Sequence, residues 1–342
     1  MRFPIFVALF LFTCLSGQAQ KQFNNWLFGQ GAGISWNTGT AVAFSGGQTA
    51  QDEGVGSISD SAGNLLFYTD GISVWNRQHL VMQNGSGLMG HYSSTQSGVI
   101  VPWPSSNTKY YIFTHDFQAG VKGFRYSVVD MSLNGGLGGV EPGTKNTLLY
   151  TPSCEKIATT THANGTDVWV VTHSWNSNSF KIYRITPAGI DTVPLTVNAG
   201  TINGGSSIGA VGCLKFSPDG RKLVTAVTNE GFVEFFEFDN SIGAITALLH
   251  DDYGIFDGAY GVEFSPNNRY VYISSASPNE VFQYDLLAGS AIAIKASKIR
   301  IASGNYIIGT LQLAPDNKIY CSKYDQNVLD VIIGRASCRE RV

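Results

Sequence analysis

The clearest hydrophobic–polar pattern runs from Gly212 to Leu249. Leu214–Phe216 alternates with the period of a strand, and Ser217-Pro218-Asp219-Gly220 turns the chain. Leu223–Val227, Phe232–Phe238 and Ile245–Leu248 alternate in the same way, which predicts a meander of four short strands. Proline presets the turn and glycine takes the positive φ that closes it. The pattern returns at Tyr260 and again at Ile308, with turn prolines Pro218, Pro266 and Pro315 spaced 48 and 49 residues apart. A four-stranded unit repeating at about 40–50 residues is the signature of a β-propeller blade.

Weaker copies lie upstream. One runs from Gly56 to Met82, with Asp60-Ser61-Ala62-Gly63 in the turn; the next starts at Val99, with Pro104–Asn107 in the turn; a third starts at Ile157, with Asn164-Gly165 in the turn. Three strand-like pieces at Trp26–Phe28, Ile34–Trp36 and Ala41–Phe44 precede them. No segment carries helical periodicity over a useful length. The expectation is one all-β domain over residues 20–333, a β-propeller of six or seven four-stranded blades. The N-terminal strands complete the last blade or form part of a seventh. Val328–Ile332 reads as the third strand of the last blade, with no fourth after it.

Composition narrows the class. Of 342 residues, 43% are hydrophobic and only 14% charged, and the formal charge is −3. That balance leaves no basic footprint for nucleic acid or an anionic membrane. Met1–Ala19 has the charged start, apolar centre and small-residue end of a secretory signal; no other apolar run is long enough for a membrane helix. Gly334–Val342 (GRASCRERV) is the translation of a common short-read sequencing adapter, so this tail is expected to be an artefact that packs against nothing, with the natural chain continuing past Ile333. Three cysteines remain between signal and tail: Cys154, Cys213 and Cys321, an odd number without metal-type spacing, and no pairing is expected.

No nucleophile elbow, phosphate loop or zinc motif is present, and no cofactor or metal is expected. Candidate chemistry comes from the repeat. The ends of successive second strands carry Asp70, His115 and His173, and the loops into the innermost strands carry Glu53, Gln96 and Glu155. Pseudo-rotation should set these six on one face, around one end of the channel, in the first three blades. Carboxylates and imidazoles there suit a sugar, a cation or a peptide, or acid–base work, with histidine titration tuning binding at pH 6–7. They serve equally well as solvated turn residues. Tyr92, Trp103, Trp175 and Tyr324 are candidate sugar-stacking aromatics.

The stretches NNWLFGQGAGISW, ISDSAGNLLFYTDGISVWN and HANGTDVWVVTHSWNSNSFKIYRIT resemble the N-terminal propeller region of secreted Bacteroidota proteins that end in a gliding-motility-associated sorting domain. The resemblance covers about Asn24 to Ile332. It implies type IX secretion, a cell-surface location and further modules downstream. It also implies O-glycosylation at Asp60-Ser61-Ala62 and Asp191-Thr192-Val193. The family's propeller carries no activity over with it. Three functions stay open: a non-catalytic recognition or adhesion module for glycan or protein, expected as a monomeric domain of a longer chain; an exported propeller enzyme of lactonase or glycan-cleaving type; and a structural spacer in a long adhesin.

Overall fold

The computed structural model describes residues 21–254 and 258–332, and the backbone of Arg339–Arg341. The expected signal, Met1–Ala19, lies outside the described residues.

The chain is a β-propeller. Blade one holds Gly56–Ser59, Leu65–Thr69, Ser73–Asn76 and Val81–Ser86, and blade two Val99–Pro102, Lys109–His115, Phe124–Asp130 and Thr147–Tyr150. Blade three holds Ser153–Thr161, Val168–Ser174, Ser177–Thr186 and Leu195–Asn203, and blade four Leu214–Phe216, Lys222–Val227, Phe232–Asp239 and Ala244–Asp252. Blade five holds Ala259–Phe264, Tyr270–Ser275, Glu280–Asp285 and Ile299–Ser303, and blade six Ile308–Leu313, Ile319–Lys323, Asp330–Ile332 and Arg339–Arg341. Strands pair antiparallel in chain order, and the first strand of each blade lines the axis. In five of the six first-to-second-strand turns the fourth residue takes the left-handed conformation, at Gly63, Gly165, Gly220, Asn268 and Asn317; in blade two Ser105 takes it.

A seventh sheet is built from Asn25–Phe28, Ala32–Ser35 and Val42–Ser45. It is a separate three-stranded sheet, not the completion of the last blade: among the described residues its edges pair with no strand of blade six. Its faces instead pack on both neighbours. Trp26 and Trp36 stand 4.4 Å apart and both meet Tyr320 of blade six edge-on, at 5.9 and 5.4 Å. On the other face, Leu27 and Phe44 pack with Tyr68 and Trp75 of blade one.

The core follows from strand periodicity. In blade four, Val224, Ala226, Val233 and Phe235 face blade five, whereas Leu223, Phe236 and Phe238 face blade three. Alternate residues of each strand therefore feed two different interfaces. Each of seven apolar clusters joins two successive sheets, and together they close a ring of seven.

One further expectation is corrected. Arg339–Arg341, within the tail expected to pack against nothing, pairs antiparallel with Asp330–Ile332 as the fourth strand of blade six. A short helix, Ala291–Ala296, interrupts blade five, with the Ser290 side chain accepting from the Ala293 N–H. Its six residues are fewer than a periodicity window can register.

Candidate functional site

The first strand of every blade starts at the same end of the channel, and the turns joining second to third strands lie there too. All six candidate residues gather at this mouth. Gln51 Nε2 donates to the carbonyls of Asp70 and His91, at 2.9 and 3.1 Å. His115 Nδ1 lies 3.2 Å from Ser153 Oγ, and His173 Nδ1 lies 3.9 Å from Cys154 Sγ. Adjacent blades therefore place the two histidines on either side of the start of one strand.

Convergence at the mouth does not make these groups free. His115 and His173 are buried against Phe124 and Phe180, and burial pulls both imidazoles down to about 3. They stay neutral at any physiological pH, so the expected histidine-tuned binding at pH 6–7 is overturned. His115 reaches across to Ser153 of blade three, whereas His173 packs within its own blade against Cys154 and Phe180. Asp70 is also buried; its Oδ1 accepts from the N–H groups of Ile72 and Ser73, which closes its own turn.

Glu155 is fully buried. Its Oε2 accepts from Thr95 N–H and Oγ1 at 2.7 and 2.9 Å, and its Oε1 from Gln118 N–H at 2.6 Å. Gln96 reaches over the lumen to blades three and four. Its Oε1 accepts from the N–H groups of Leu214 and Ile157, at 2.8 and 3.2 Å, and its Nε2 donates to the Leu214 carbonyl at 3.0 Å. The amide thus behaves as a piece of extended backbone.

Glu53 is the exception. Tyr260 of blade five donates to its Oε1 at 2.8 Å, a bond that spans the lumen, and Ser93 Oγ lies 3.5 Å from its Oε2. Burial, helped by the nearby charge of Glu155, pushes its carboxyl up to about 7. Burial raises the carboxyls of Asp70 and Glu155 as well.

The sequence reading missed the device that organises this end. Segment 91–97 lies across the mouth: Asp52 and Gly54 donate their N–H groups to the carbonyls of Tyr92 and Ser94, Thr95 holds Glu155, and Gly212 N–H donates to Thr95 Oγ1 at 3.3 Å. It ties the mouth ends of blades one, three and four together. Its one advance signal is a long polar connection between blades one and two. Lys156 was missed too. It is fully buried, and its Nζ donates to the carbonyls of Val211 and Ala226 at 2.8 Å each. Deeper in the lumen, Lys215 Nζ meets Glu263 Oε2 at 2.8 Å and Gln312 Oε1 at 3.0 Å.

Of the candidate aromatics, Tyr92 and Tyr324 are 51% and 64% exposed on the mouth face, and Tyr306, 50% exposed, joins them from the loop into blade six. Trp175 is half-buried on that face. Trp103 stacks on Tyr111 at 4.8 Å and donates Nε1 to the Pro187 carbonyl, so it is a packing residue. Among the described residues no three His, Cys, Asp or Glu side chains converge to hold a metal, and Cys154, Cys213 and Cys321 are free and buried. No helix among them is long and apolar enough to cross a membrane.

The fold and these hydrogen bonds define a seven-sheet propeller stapled at one end of its channel. No family model and no curated protein matches this chain. Solved structures do. The periplasmic gluconolactonase of Pseudomonas aeruginosa aligns over 94% of this chain and 95% of its own at 10% identity and a TM-score of 0.56. Hydrazine synthase of Kuenenia stuttgartiensis aligns over 96% and 100% at 12% identity and 0.54. The β-propeller domain of Cps50 (Swd1) from Myceliophteria thermophila aligns over 91% and 93% at 11% identity and 0.53. At such identities the likeness shows the fold alone, and these three proteins bear unrelated names.

Proposed function

We propose that this protein is a non-catalytic recognition module of an exported, surface-located protein, binding a glycan through the channel-mouth face. The carrying observation is the exposed aromatic set Tyr92, Tyr306 and Tyr324 around the mouth. Tyrosine faces stack on sugar rings while their hydroxyls stay wet. Glu53 offers a neighbouring carboxyl, and Asp52 an exposed one. Export rests on the signal-like N-terminus and on the resemblance to secreted Bacteroidota surface proteins.

The test is a glycan array probed with wild type and with Tyr92→Ala/Tyr324→Ala. Wild type should bind a restricted glycan set and the variant should lose at least tenfold in affinity. Equal binding by both, or none by wild type, would leave the spacer reading in place.

A second reading, a lactonase-type enzyme, draws support from Glu53, whose pKa of about 7 suits a general acid or base. It predicts gluconolactone hydrolysis abolished by Glu53→Gln. Absence of turnover by wild type removes it.

A further inference from the structure

Three rings stack on the mouth face between blades one and two, and no blade interface uses them. His91 lies 4.4 Å from Tyr92 and 4.7 Å from Phe117, the second pair within 23° of parallel. Tyr92 is exposed, whereas His91 and Phe117 are half-buried. None of the three belongs to the seven apolar clusters that join the sheets. Core packing therefore does not account for the stack, which leaves aromatic surface in water.

The two loops that carry this shelf are set by hydrogen bonds of their own. Asp52 N–H donates to the Tyr92 carbonyl and Ser93 N–H to His91 Nδ1, both at 3.2 Å. In the other loop, Asp116 holds both ends of the 117–122 turn, accepting from the N–H groups of Phe117 at 3.0 Å and Lys122 at 2.9 Å. Within that turn Gln118 and Ala119 take left-handed φ values of 47° and 59°, which residues with a Cβ adopt where their surroundings impose them. The buried Glu155 carboxylate helps to impose them by accepting from the Gln118 N–H at 2.6 Å. The shelf is thus preorganised before any ligand arrives.

The edges of the shelf carry hydrogen-bonding groups that the fold leaves over. The bond to Nδ1 puts the His91 proton on Nε2, and burial with the charge of Lys122 holds its pKa below the ordinary value, so the ring is neutral. Gln118 Oε1 accepts from Ser207 Oγ at 2.9 Å. The Gln118 amide N–H groups, His91 Nε2 and the exposed Asp52 carboxylate have no hydrogen-bond partner among the described residues. Lys122 is balanced by Asp116 at 3.9 Å, which leaves Asp52 as the uncompensated charge beside the shelf. Donors and an acceptor around a flat apolar face match a sugar ring, whose C–H face stacks while its hydroxyls donate and accept. An uncompensated carboxylate disfavours an acidic sugar.

We propose that the Tyr92–His91–Phe117 shelf is the primary sugar subsite of the mouth face, holding one neutral pyranose ring flat on the stack with its hydroxyls on Asp52 and Gln118. This rests on the glycan reading above and deepens it by naming the subsite and the sugar class. Tyr306 and Tyr324 form a separate pair in blade six, where Tyr324 N–H donates to the Ile307 carbonyl at 3.0 Å, and they meet only a longer glycan.

The experiment titrates the protein with the methyl pyranosides of glucose, galactose, mannose, N-acetylglucosamine and glucuronic acid, and with acetyl-prolinamide, while NMR follows the ring resonances of His91, Tyr92, Phe117, Tyr306 and Tyr324. At least one neutral pyranoside should shift the three shelf rings together, and the glucuronide should bind at least tenfold more weakly. Tyr92→Ala/Phe117→Ala should lose at least tenfold in affinity for that pyranoside, and Tyr306→Ala/Tyr324→Ala should stay within twofold of wild type. The wild-type ring shifts do not depend on how well either variant folds. Shelf rings that stay still with every pyranoside, a loss confined to the blade-six variant, or a response to acetyl-prolinamide alone would each overturn the proposal; the last would reassign the shelf to a peptide. A positive glycan array beside any of these results leaves the broader glycan reading standing, and a blank array removes both.

Discussion

Gln96 and Glu53 carry the energetics of the mouth at the scale of single residues. Replacing Gln96 with alanine strands the Leu214 N–H and C=O and the Ile157 N–H inside the lumen. Each lost partner costs about 1 kcal/mol or more, so Gln96→Ala should destabilise the fold by about 2–4 kcal/mol. Chemical denaturation reads this directly, and an unchanged midpoint would mean that the mouth is held elsewhere. Glu53 gives a pH dependence of defined sign. Its carboxyl sits at about 7 in the fold against 4.5 in the open chain, so between those values the native state holds a proton that the unfolded state releases. Stability from this group is full below 4.5 and is lost as pH rises through about 7. Glu53→Gln should therefore be nearly neutral in acid and gain on the order of 2–3 kcal/mol over wild type at alkaline pH. Parallel denaturation curves at both pH values check it. His115 and His173 act in the opposite direction: their folded values near 3 lie below the ordinary 6.5, so their contribution is full above 6.5 and is lost on acidification. Their ring proton resonances should not titrate between roughly pH 5 and 8; movement there would show that solvent reaches the rings.

At the scale of elements, the three-stranded N-terminal sheet decides whether the ring closes. It provides one side of two of the seven interfaces, through Trp26, Trp36 and Ile34 on one face and Leu27 and Phe44 on the other. Trp36→Ala should cost about 3–5 kcal/mol, the usual range for emptying a buried tryptophan site. Deleting residues 21–45 should abolish cooperative unfolding or cause aggregation, since both flanking blades would expose apolar faces. Cutting the chain after Ile333 should do far less: none of the seven clusters draws on a described residue beyond Ile332. Comparison of the two truncations by calorimetry ranks them, and equal melting temperatures would show the N-terminal sheet to be an appendage.

At the scale of the whole molecule, the propeller presents two unlike regions. The lumen is tied across its width by Glu53–Tyr260 and Gln96–Leu214, and Lys215–Glu263 joins two neighbouring blades along its wall. The mouth face is rimmed by exposed tyrosines. A channel stapled in this way is a rigid platform, and recognition on such a platform belongs to its loops. The glycan-array experiment therefore tests the rim, and the pH series tests the lumen.

Repeat spacing and turn chemistry were local facts, and from them the sequence alone determined the all-β class, the blade period and the end of the channel where the six candidates meet. Pro218, Pro266 and Pro315 and the glycine or asparagine two residues on carry that information in adjacent positions. The blade count was not local. It depends on Trp26 and Trp36 finding Tyr320 across nearly the whole chain, a contact that no period predicts. The fate of the polar candidates was not local either. A histidine at the end of a strand looks the same whether it faces the lumen or a packed interior, and only tertiary packing decided that His115 and His173 would be buried and neutral. Gln96, a candidate ligand residue by position, became a staple because the opposite wall of a narrow channel brought the Leu214 backbone within reach.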